Sequence, residues 1–307
     1  MLALVRSGNS EEAVELRDVP EPDPAPNEAV IEVGAVSLNR GELTLLAMRP
    51  DGWRPGQDVG GVVLHPAADG TGPPQGAAVV AWVDHAGWAQ RVAAPTGRVV
   101  ELPETVVVEA AATLPVAGLT ALRTLRIGGQ LIGQRVLVTG AAGGVGRFAV
   151  QIAAMLGVEV VAVARNAERG SGLRDLGAGE VVPDVESAAG TFDLILESAG
   201  GPSLSAAVDR LSPEGILVVF GNSSKEPSEV RFQAVPGLAR IQAFRVYESG
   251  EPPSFGSDLG RLVSLLASGR LQAQIGFQAS WRNAGAALQA LRERRVNGKA
   301  VLRVDGA

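Results

Sequence analysis

The stretch Val136–Ala153, VLVTGAAGGVGRFAVQIA, decides the fold. An apolar run typical of a buried strand leads into a cluster of glycines, and apolar residues at helical spacing follow. In the dinucleotide-binding fingerprint G-x-G-x-x-G, Ala141, Gly143 and Gly146 take the three small positions, with Gly140 one place upstream. The stretch therefore predicts a strand, a tight turn and a helix whose N-terminus can receive a pyrophosphate.

Strand and helix patterns alternate after this stretch. The strand candidates VEVVAVAR, GEVVP, FDLILESAG and GILVVFG are nearly continuous runs of Val, Ile and Leu, which is typical of strands buried on both faces of a parallel sheet. A helix is expected between the first two, over AERGSGLRDLGA (Ala167–Ala178). The fold class is therefore α/β, with a doubly wound parallel sheet in a Rossmann domain.

The segment from Met1 to about Val107 has a different pattern. Short alternating stretches such as EAVIEVGAVSL and AAVVAWV are separated by breakers such as PEPDPAPNE, which predicts a compact, mainly β domain. After Ser257 come two amphipathic stretches, LGRLVSLLASGRL and NAGAALQALRERR, and then a closing strand, KAVLRV.

Composition excludes several classes of function. The 307 residues carry 27 basic and 33 acidic side chains, a formal net charge of −6, without a basic block, so nucleic acid is not expected as a partner. There is no cysteine and there are two histidines, so a disulfide, a thiol nucleophile and a cysteine-bound zinc are excluded and no metal site is expected. No signal peptide or long apolar run is evident, which favours a cytoplasmic protein without a membrane partner.

The end of the second Rossmann strand indicates which cofactor is bound. An acidic residue there would accept hydrogen bonds from the ribose of NAD, but the sequence reads VARNAER, with Arg165 and Asn166 at the strand end and Arg169 one turn later. A guanidinium–phosphate hydrogen bond is worth about 1.5–3 kcal/mol, which favours NADP over NAD by tenfold or more. The alternative is that both arginines are solvated surface charges.

An ordered set of motifs resembles the zinc-independent medium-chain dehydrogenases/reductases of the quinone oxidoreductase type. The motifs are VSLNRGE, PGQDVGGVV, GWAQRVAAP, LPVAGLTALRTL, VLVTGAAGGVG and NGKAVLRV, and together they span nearly the whole chain. Relatives that use zinc carry cysteines that this chain lacks.

The resemblance implies a GroES-like substrate domain over residues 1–110 and 255–307 and a Rossmann NADP-binding domain over 111–254, with the C-terminus returning to the first domain. It also implies a cleft between the domains, with Asn39 and Thr120 near the nicotinamide. The expected NADP(H)-binding residues are Ala142, Gly143, Gly144, Val145, Arg165, Asn166, Arg169, Ser198, Ala199, Gly200, Phe220, Gly221 and Asn222.

The resemblance implies an NADPH-dependent reductase of quinones or of carbonyl-conjugated C=C bonds. Asn39 and Thr120 are candidate donors to the accepting oxygen, or they position the cofactor. Alternatively, Asn39 is a capping or turn residue and Thr120 a helix hydroxyl that bonds backward. Several relatives place a tyrosine after the asparagine, whereas the only tyrosine here is Tyr247, so the proton comes from water or from another residue.

Other functions stay open at this point. A zinc-free carbonyl reductase or alcohol dehydrogenase is one alternative, and a low-turnover NADPH-binding redox sensor is another. An edge strand is expected near Ile241–Val246, which in this family pairs across a dimer. Because an unpaired apolar edge invites aggregation, a homodimer through the edge of the Rossmann sheet is expected.

Overall fold

The computed structural model describes residues 1–8, 13–249 and 254–305. By contact the chain divides into two compact units. The first, the N/C unit, comprises Met1–Leu119 and Glu251–Ala307. The second, the central unit, comprises Thr120–Gly250.

Fifteen strands and eight α-helices are formed by the described residues. The strands are β1 (Leu2–Arg6), β2 (Val14–Asp18), β3 (Glu28–Leu38), β4 (Asp58–His65), β5 (Ala78–Trp82), β6 (Arg91–Pro95), β7 (Val99–Glu101), β8 (Arg135–Val138), β9 (Glu159–Val163), β10 (Glu180–Val182), β11 (Phe192–Glu197), β12 (Leu211–Val219), β13 (Arg240–Ala243), β14 (Ile275–Ser280) and β15 (Lys299–Arg303). The helices are α1 (Arg40–Met48), α2 (Val108–Ala111), α3 (Pro115–Ile127), α4 (Gly144–Met155), α5 (Ala167–Gly170), α6 (Pro202–Val208), α7 (Phe255–Ala267) and α8 (Ala284–Arg292).

A seven-stranded sheet organises the N/C unit, in the order β14-β15-β3-β4-β5-β7, with β6 pairing with β3. All of its pairs are antiparallel except β14 with β15. In the long strand β3 only Glu32 and Gly34 are exposed, and its apolar side chains join a core that includes Trp88, Trp281 and Leu288. The pairing of β15 with β3 confirms that the C-terminus returns to the first domain.

The central unit contains a six-stranded sheet in the order β10-β9-β8-β11-β12-β13, and all of its pairs are parallel. Numbered within the unit, this order is 3-2-1-4-5-6, which is that of a doubly wound dinucleotide-binding sheet. Apolar residues such as Leu137, Val161, Ile195 and Leu217 fill its core. The structure therefore confirms the predicted α/β fold class.

Helix α5 is shorter than the sequence pattern predicts. The expected helix ran to Ala178, but α5 ends at Gly170 and turns follow. Gly172 has φ +76° and Gly177 has φ +105°, and neither angle is compatible with a right-handed helix. The two glycines therefore stop the helix although the apolar spacing would allow it to continue.

Within the described ranges, no helix combines the length and the apolar character needed to cross a bilayer.

Candidate functional site

The glycine-rich turn lies between β8 and α4 in the central unit. Gly140 has φ +58°, and its carbonyl oxygen accepts a hydrogen bond from the Gly143 amide at 2.9 Å. A Cβ added at Gly146 would lie 2.6 Å from both the Gly140 oxygen and the Ala141 Cα. Only glycine therefore lets α4 pack this closely against the turn that precedes it.

This turn fits a pyrophosphate. The first amides of a helix have no acceptor within the helix, and their dipoles give that end partial positive charge. Helix α4 has twelve residues and begins at Gly144, so the amides of Gly144 and Val145 are such donors. No acidic residue occurs between Gly140 and Gly146. The turn thus offers an anion backbone donors and no opposing negative charge.

A second loop, after β11, is tied to the first turn by Glu197. This fully buried carboxylate accepts hydrogen bonds from the amides of Ala199 (3.1 Å) and Gly200 (2.9 Å) and from the hydroxyls of Thr139 (3.0 Å) and Ser203 (2.9 Å). Glu197 therefore shapes the loop that holds the predicted residues Ser198, Ala199 and Gly200. The sequence analysis did not identify Glu197. The available signal was an acidic residue at the end of an apolar strand, because a buried carboxylate there needs hydrogen-bond partners.

The predicted residues after β12 meet the second loop. The Phe220 amide donates to the Glu197 carbonyl at 2.9 Å, and the Ser224 amide donates to the Ala199 carbonyl at 2.7 Å. A Cβ added at Gly200 would fall 2.0 Å from the Asn222 Oδ1. The loops that follow β8, β11 and β12 thus converge at the carboxyl edge of the parallel sheet, where open α/β sheets bind ligands.

The residues expected to select the cofactor follow β9. Arg165 is exposed and Arg169 is half-buried. The Asn166 side chain caps α5, because its Oδ1 accepts a hydrogen bond from the Arg169 amide at 2.9 Å. Asn166 therefore has a structural role as the cap of α5. Its predicted role in binding the cofactor stays a prediction.

Arg147 is a further residue of the central unit that sequence reasoning did not select. Its guanidinium donates to the Ser171 carbonyl at 2.9 Å and makes a longer contact, 3.4 Å, with the Ala142 carbonyl. The residue is 6% exposed, and burial lowers the pKa of its guanidinium. Arg147 therefore joins the glycine-rich turn to the segment after α5.

In the N/C unit, Asn39 belongs to a buried polar cluster. Antiparallel pairing places Ser37 of β3 opposite Asp58 of β4 and places Leu38 opposite Ala300 of β15. This register brings Lys299, the first residue of β15, beside Asn39. Lys299 and Asp58 form an ion pair at 3.0 Å and are 3% and 0% exposed. Sequence motifs contained both residues, but nothing local indicated that they meet.

Hydrogen bonds complete this cluster. The Asn39 Nδ2 donates to Asp58 Oδ2 at 2.8 Å, and Lys299 Nζ donates to Asn39 Oδ1 at 2.6 Å. The Ser37 hydroxyl donates to Asp58 Oδ2 at 2.6 Å, and the Val116 amide donates to Asp58 Oδ1 at 2.9 Å. Asn39 is the N-cap residue of α1, as the capping alternative expected, and its side chain is in addition held by two charged groups.

Glu42 of α1 lies fully buried next to this cluster. Its carboxyl oxygens accept hydrogen bonds from the Asn39 amide at 2.8 Å and from the Gln57 amide at 3.1 Å. Burial, supported by the negative charge of Asp58, raises the pKa of Glu42 to about 8, against the lowering effect of these amides and of Lys299. Glu42 is therefore protonated at neutral pH.

The raised pKa of Glu42 makes stability pH-dependent. Folded Glu42 keeps its proton up to about pH 8, whereas unfolded Glu42 loses it near the ordinary value of 4.5, so its contribution is full below pH 4.5 and is lost as the pH rises toward 8. We expect the free energy of unfolding to fall by about 2 kcal/mol between pH 6 and pH 7.5 through this group. Urea unfolding at both pH values measures this fall in the free energy of unfolding. In Glu42→Gln, which has no ionisable group at this position, the fall should be smaller by about 2 kcal/mol. An equal fall in the two proteins would contradict the assignment.

Thr120 lies buried on α3, and its carbonyl oxygen accepts a hydrogen bond from the Thr124 hydroxyl at 2.7 Å. Its catalytic role stays a prediction. In the part of the chain that the structure describes, no group of three or more histidine, aspartate or glutamate side chains is arranged to hold a metal ion.

Comparison with known proteins bears on the family. Residues 144–259 match the family model described as zinc-binding dehydrogenase. The chain is 32% identical over 237 residues to a chloroplast envelope quinone oxidoreductase homolog of Arabidopsis thaliana, covering 69% of this chain and 71% of that protein. It is 31% identical over 252 residues to mycoketide-CoA synthase of Mycobacterium tuberculosis, where the match covers 76% of this chain but spans only 6% of that much longer protein.

The fold is also similar to solved structures. Escherichia coli quinone oxidoreductase, solved in complex with NADPH, superposes with a TM-score of 0.88 at 21% identity, and the match covers 99% of this chain and 100% of that one. At this level of identity, the similarity shows a shared fold.

Proposed function

The chain belongs to the quinone oxidoreductase group of the medium-chain dehydrogenase/reductase superfamily, and on this premise we propose that it is an NADPH-dependent reductase of quinones or of carbonyl-conjugated C=C bonds. The observation that carries the proposal is the convergence of three loops at the carboxyl edge of the parallel sheet around a turn that only glycine permits. NADPH bound to E. coli quinone oxidoreductase, a protein of the same fold, supports the choice of cofactor.

The electron and proton balance of the proposed reaction is simple. NADPH, when bound, would supply a hydride from its C4 and leave as NADP⁺. The electrophilic carbon would gain that hydride, the displaced electron pair would move onto the conjugated oxygen, and a proton from water or from another residue would complete the product. The protein has to hold the reacting atoms together and place hydrogen-bond donors where the oxygen gains charge.

The residues of the central unit have separate roles in this proposal. The amides of Gly144 and Val145 bind the pyrophosphate, and Ser198–Gly200 and Phe220–Asn222 flank the rest of the cofactor. Glu197 shapes these flanking loops through its buried hydrogen bonds. Arg165 and Arg169 provide positive charge where a ribose 2′-phosphate would lie.

Replacing Arg165 and Arg169 together by alanine tests the choice of NADPH. We expect the KM for NADPH to rise about tenfold or more and that for NADH to change little, because only NADPH carries the phosphate that a guanidinium would bind. Steady-state kinetics with both cofactors measure this split. Parallel increases for NADH and NADPH would mean that these arginines do not select the phosphate.

The substrate class is tested by following NADPH absorbance with a panel of quinones, enones and aldehydes. Oxidation with quinones or enones supports the proposal. Turnover with aldehydes alone indicates a carbonyl reductase, and binding without oxidation indicates a redox sensor. Because the chain has no cysteine and two histidines, the proposed reaction does not use zinc, and turnover should withstand a chelator.

The proposal includes a homodimer through β13, the edge strand of the central sheet. Residues Arg240–Ala243 of this strand are all exposed, and the side chains of Leu238 (72% exposed) and Tyr247 (57% exposed) flank it. An edge with this much exposed apolar surface is suited to pairing with a second copy. Light scattering at micromolar concentration should give twice the monomer mass, and the monomer mass would contradict it.

A further inference from the structure

We propose that Lys299 and Asp58 are positioning residues that lock the Asn39 side chain as a hydrogen-bond donor to the oxygen that gains charge during reduction. This inference rests on the proposed function and deepens it, because it assigns one atom of the site, Asn39 Nδ2, a defined task.

The orientation of the Asn39 amide follows from the charges on either side of it. Its Oδ1 lies 2.6 Å from Lys299 Nζ, which can only donate, and its Nδ2 lies 2.8 Å from the carboxylate of Asp58, which can only accept when ionised. Turning the amide over would place two donors against each other and two acceptors against each other. The cluster therefore permits one orientation of this side chain.

Lys299 cannot easily move away from this arrangement. Its three N–H groups have three acceptors: the Leu38 carbonyl at 3.0 Å, Asn39 Oδ1, and Asp58 Oδ2 at 3.0 Å. The side chain is almost completely buried, so no water can replace a lost partner without a cavity opening. Lys299 is thus a fixed donor against the Asn39 oxygen.

With the amide held in this orientation, one N–H group of Asn39 is assigned to the substrate oxygen. Its nitrogen carries two N–H groups, and one of them is used by Asp58. The oxygen is used by Lys299, so the remaining N–H is what Asn39 offers to another group. A fixed neutral donor of this kind suits an enolate or a hydroquinone anion, since it needs no reorganisation when the charge appears.

A double-mutant cycle tests the inference with the full-length protein. With an acceptor that the wild type reduces, kcat is measured for Asn39→Ala, Lys299→Met and the combined variant, and NADPH affinity is measured by fluorescence. We expect each single substitution to lower kcat about 10- to 100-fold, as for loss of one oxyanion donor, with NADPH affinity changed less than about threefold. Because Lys299 acts through Asn39, the combined variant should be no slower than the slower single variant.

A matched control is available on the same strand. Arg303 of β15 is an exposed cation that pairs with Glu109 at 3.0 Å, so Arg303→Met should leave kcat unchanged. If Lys299→Met fails to fold, Lys299→Arg completes the cycle, because arginine keeps the charge but cannot match the three acceptors of an ammonium.

The outcomes separate the inference from the function on which it rests. Multiplicative losses in the combined variant, with wild-type turnover intact, would show that Lys299 acts independently of Asn39 and would overturn the inference alone. A wild type that binds NADPH but oxidises none of it with any acceptor would overturn the proposed function and, with it, the donor role of Asn39.

Discussion

A Gly146→Ala variant is expected to lose NADPH affinity by about 100-fold or more. The added Cβ would lie 2.6 Å from both the Gly140 oxygen and the Ala141 Cα, and neither backbone atom can give way as a flexible side chain would. Helix α4 must then shift off the turn and carry the amides of Gly144 and Val145 away from the phosphates. Two charge-assisted hydrogen bonds lost at roughly 1.5–3 kcal/mol each account for this factor. Fluorescence titration with NADPH measures it.

The matched control is Gly237→Ala in the same unit. It makes the same chemical change, but a Cβ at Gly237 would meet nothing within 4 Å. This variant should bind NADPH as the wild type does, and circular dichroism of both variants shows whether each is folded. If Gly146→Ala is folded and binds NADPH within threefold of the control, the turn is not the phosphate seat.

The second large effect concerns the buried ion pair of the N/C unit. An Asp58→Ala variant should lose about 3–5 kcal/mol of unfolding free energy, because Lys299 then remains buried without a counter-charge. The Ser37 hydroxyl and the Val116 amide also lose their acceptor. Urea unfolding at pH 7 measures the loss.

The same unit provides an ion pair of equal length in a different environment. Arg303 and Glu109 lie 3.0 Å apart, as Lys299 and Asp58 do, but their side chains are 58% and 29% exposed. Water screens this pair, so Glu109→Ala should cost at most about 1 kcal/mol. Similar losses for Glu109→Ala and Asp58→Ala would mean that burial does not control the strength of these pairs.

Much of the fold could be predicted because the signals are local. Continuous apolar strands alternating with helical spacing predicted the parallel sheet, and the observed strand order agrees with that prediction. The length of α5 was mispredicted because apolar spacing was given more weight than the glycines at positions 172 and 177. Backbone conformation at such glycines depends on the surrounding packing as well as on the local sequence.

The candidate site was predictable to a different degree in each unit. In the central unit, the cofactor residues lie directly after strands whose ends meet in any sheet of this order, so each could be named from its place in the chain. Glu197 and Arg147 were missed because their role is visible only in the backbone groups they contact. In the N/C unit, Asn39 was named from a motif, but its partners were not.

The sequence by itself determined the glycine-rich turn, the alternation of strands and helices, and the lack of cysteine, because these are properties of neighbouring residues and of composition. Only the tertiary structure decided that Lys299 would meet Asn39, which lies 260 positions earlier in the chain. That meeting depends on the registers of two antiparallel pairs, β3 with β4 and β3 with β15. A shift of one residue in either register would turn these side chains to the other face of the sheet, and the packing of the whole unit selects the register.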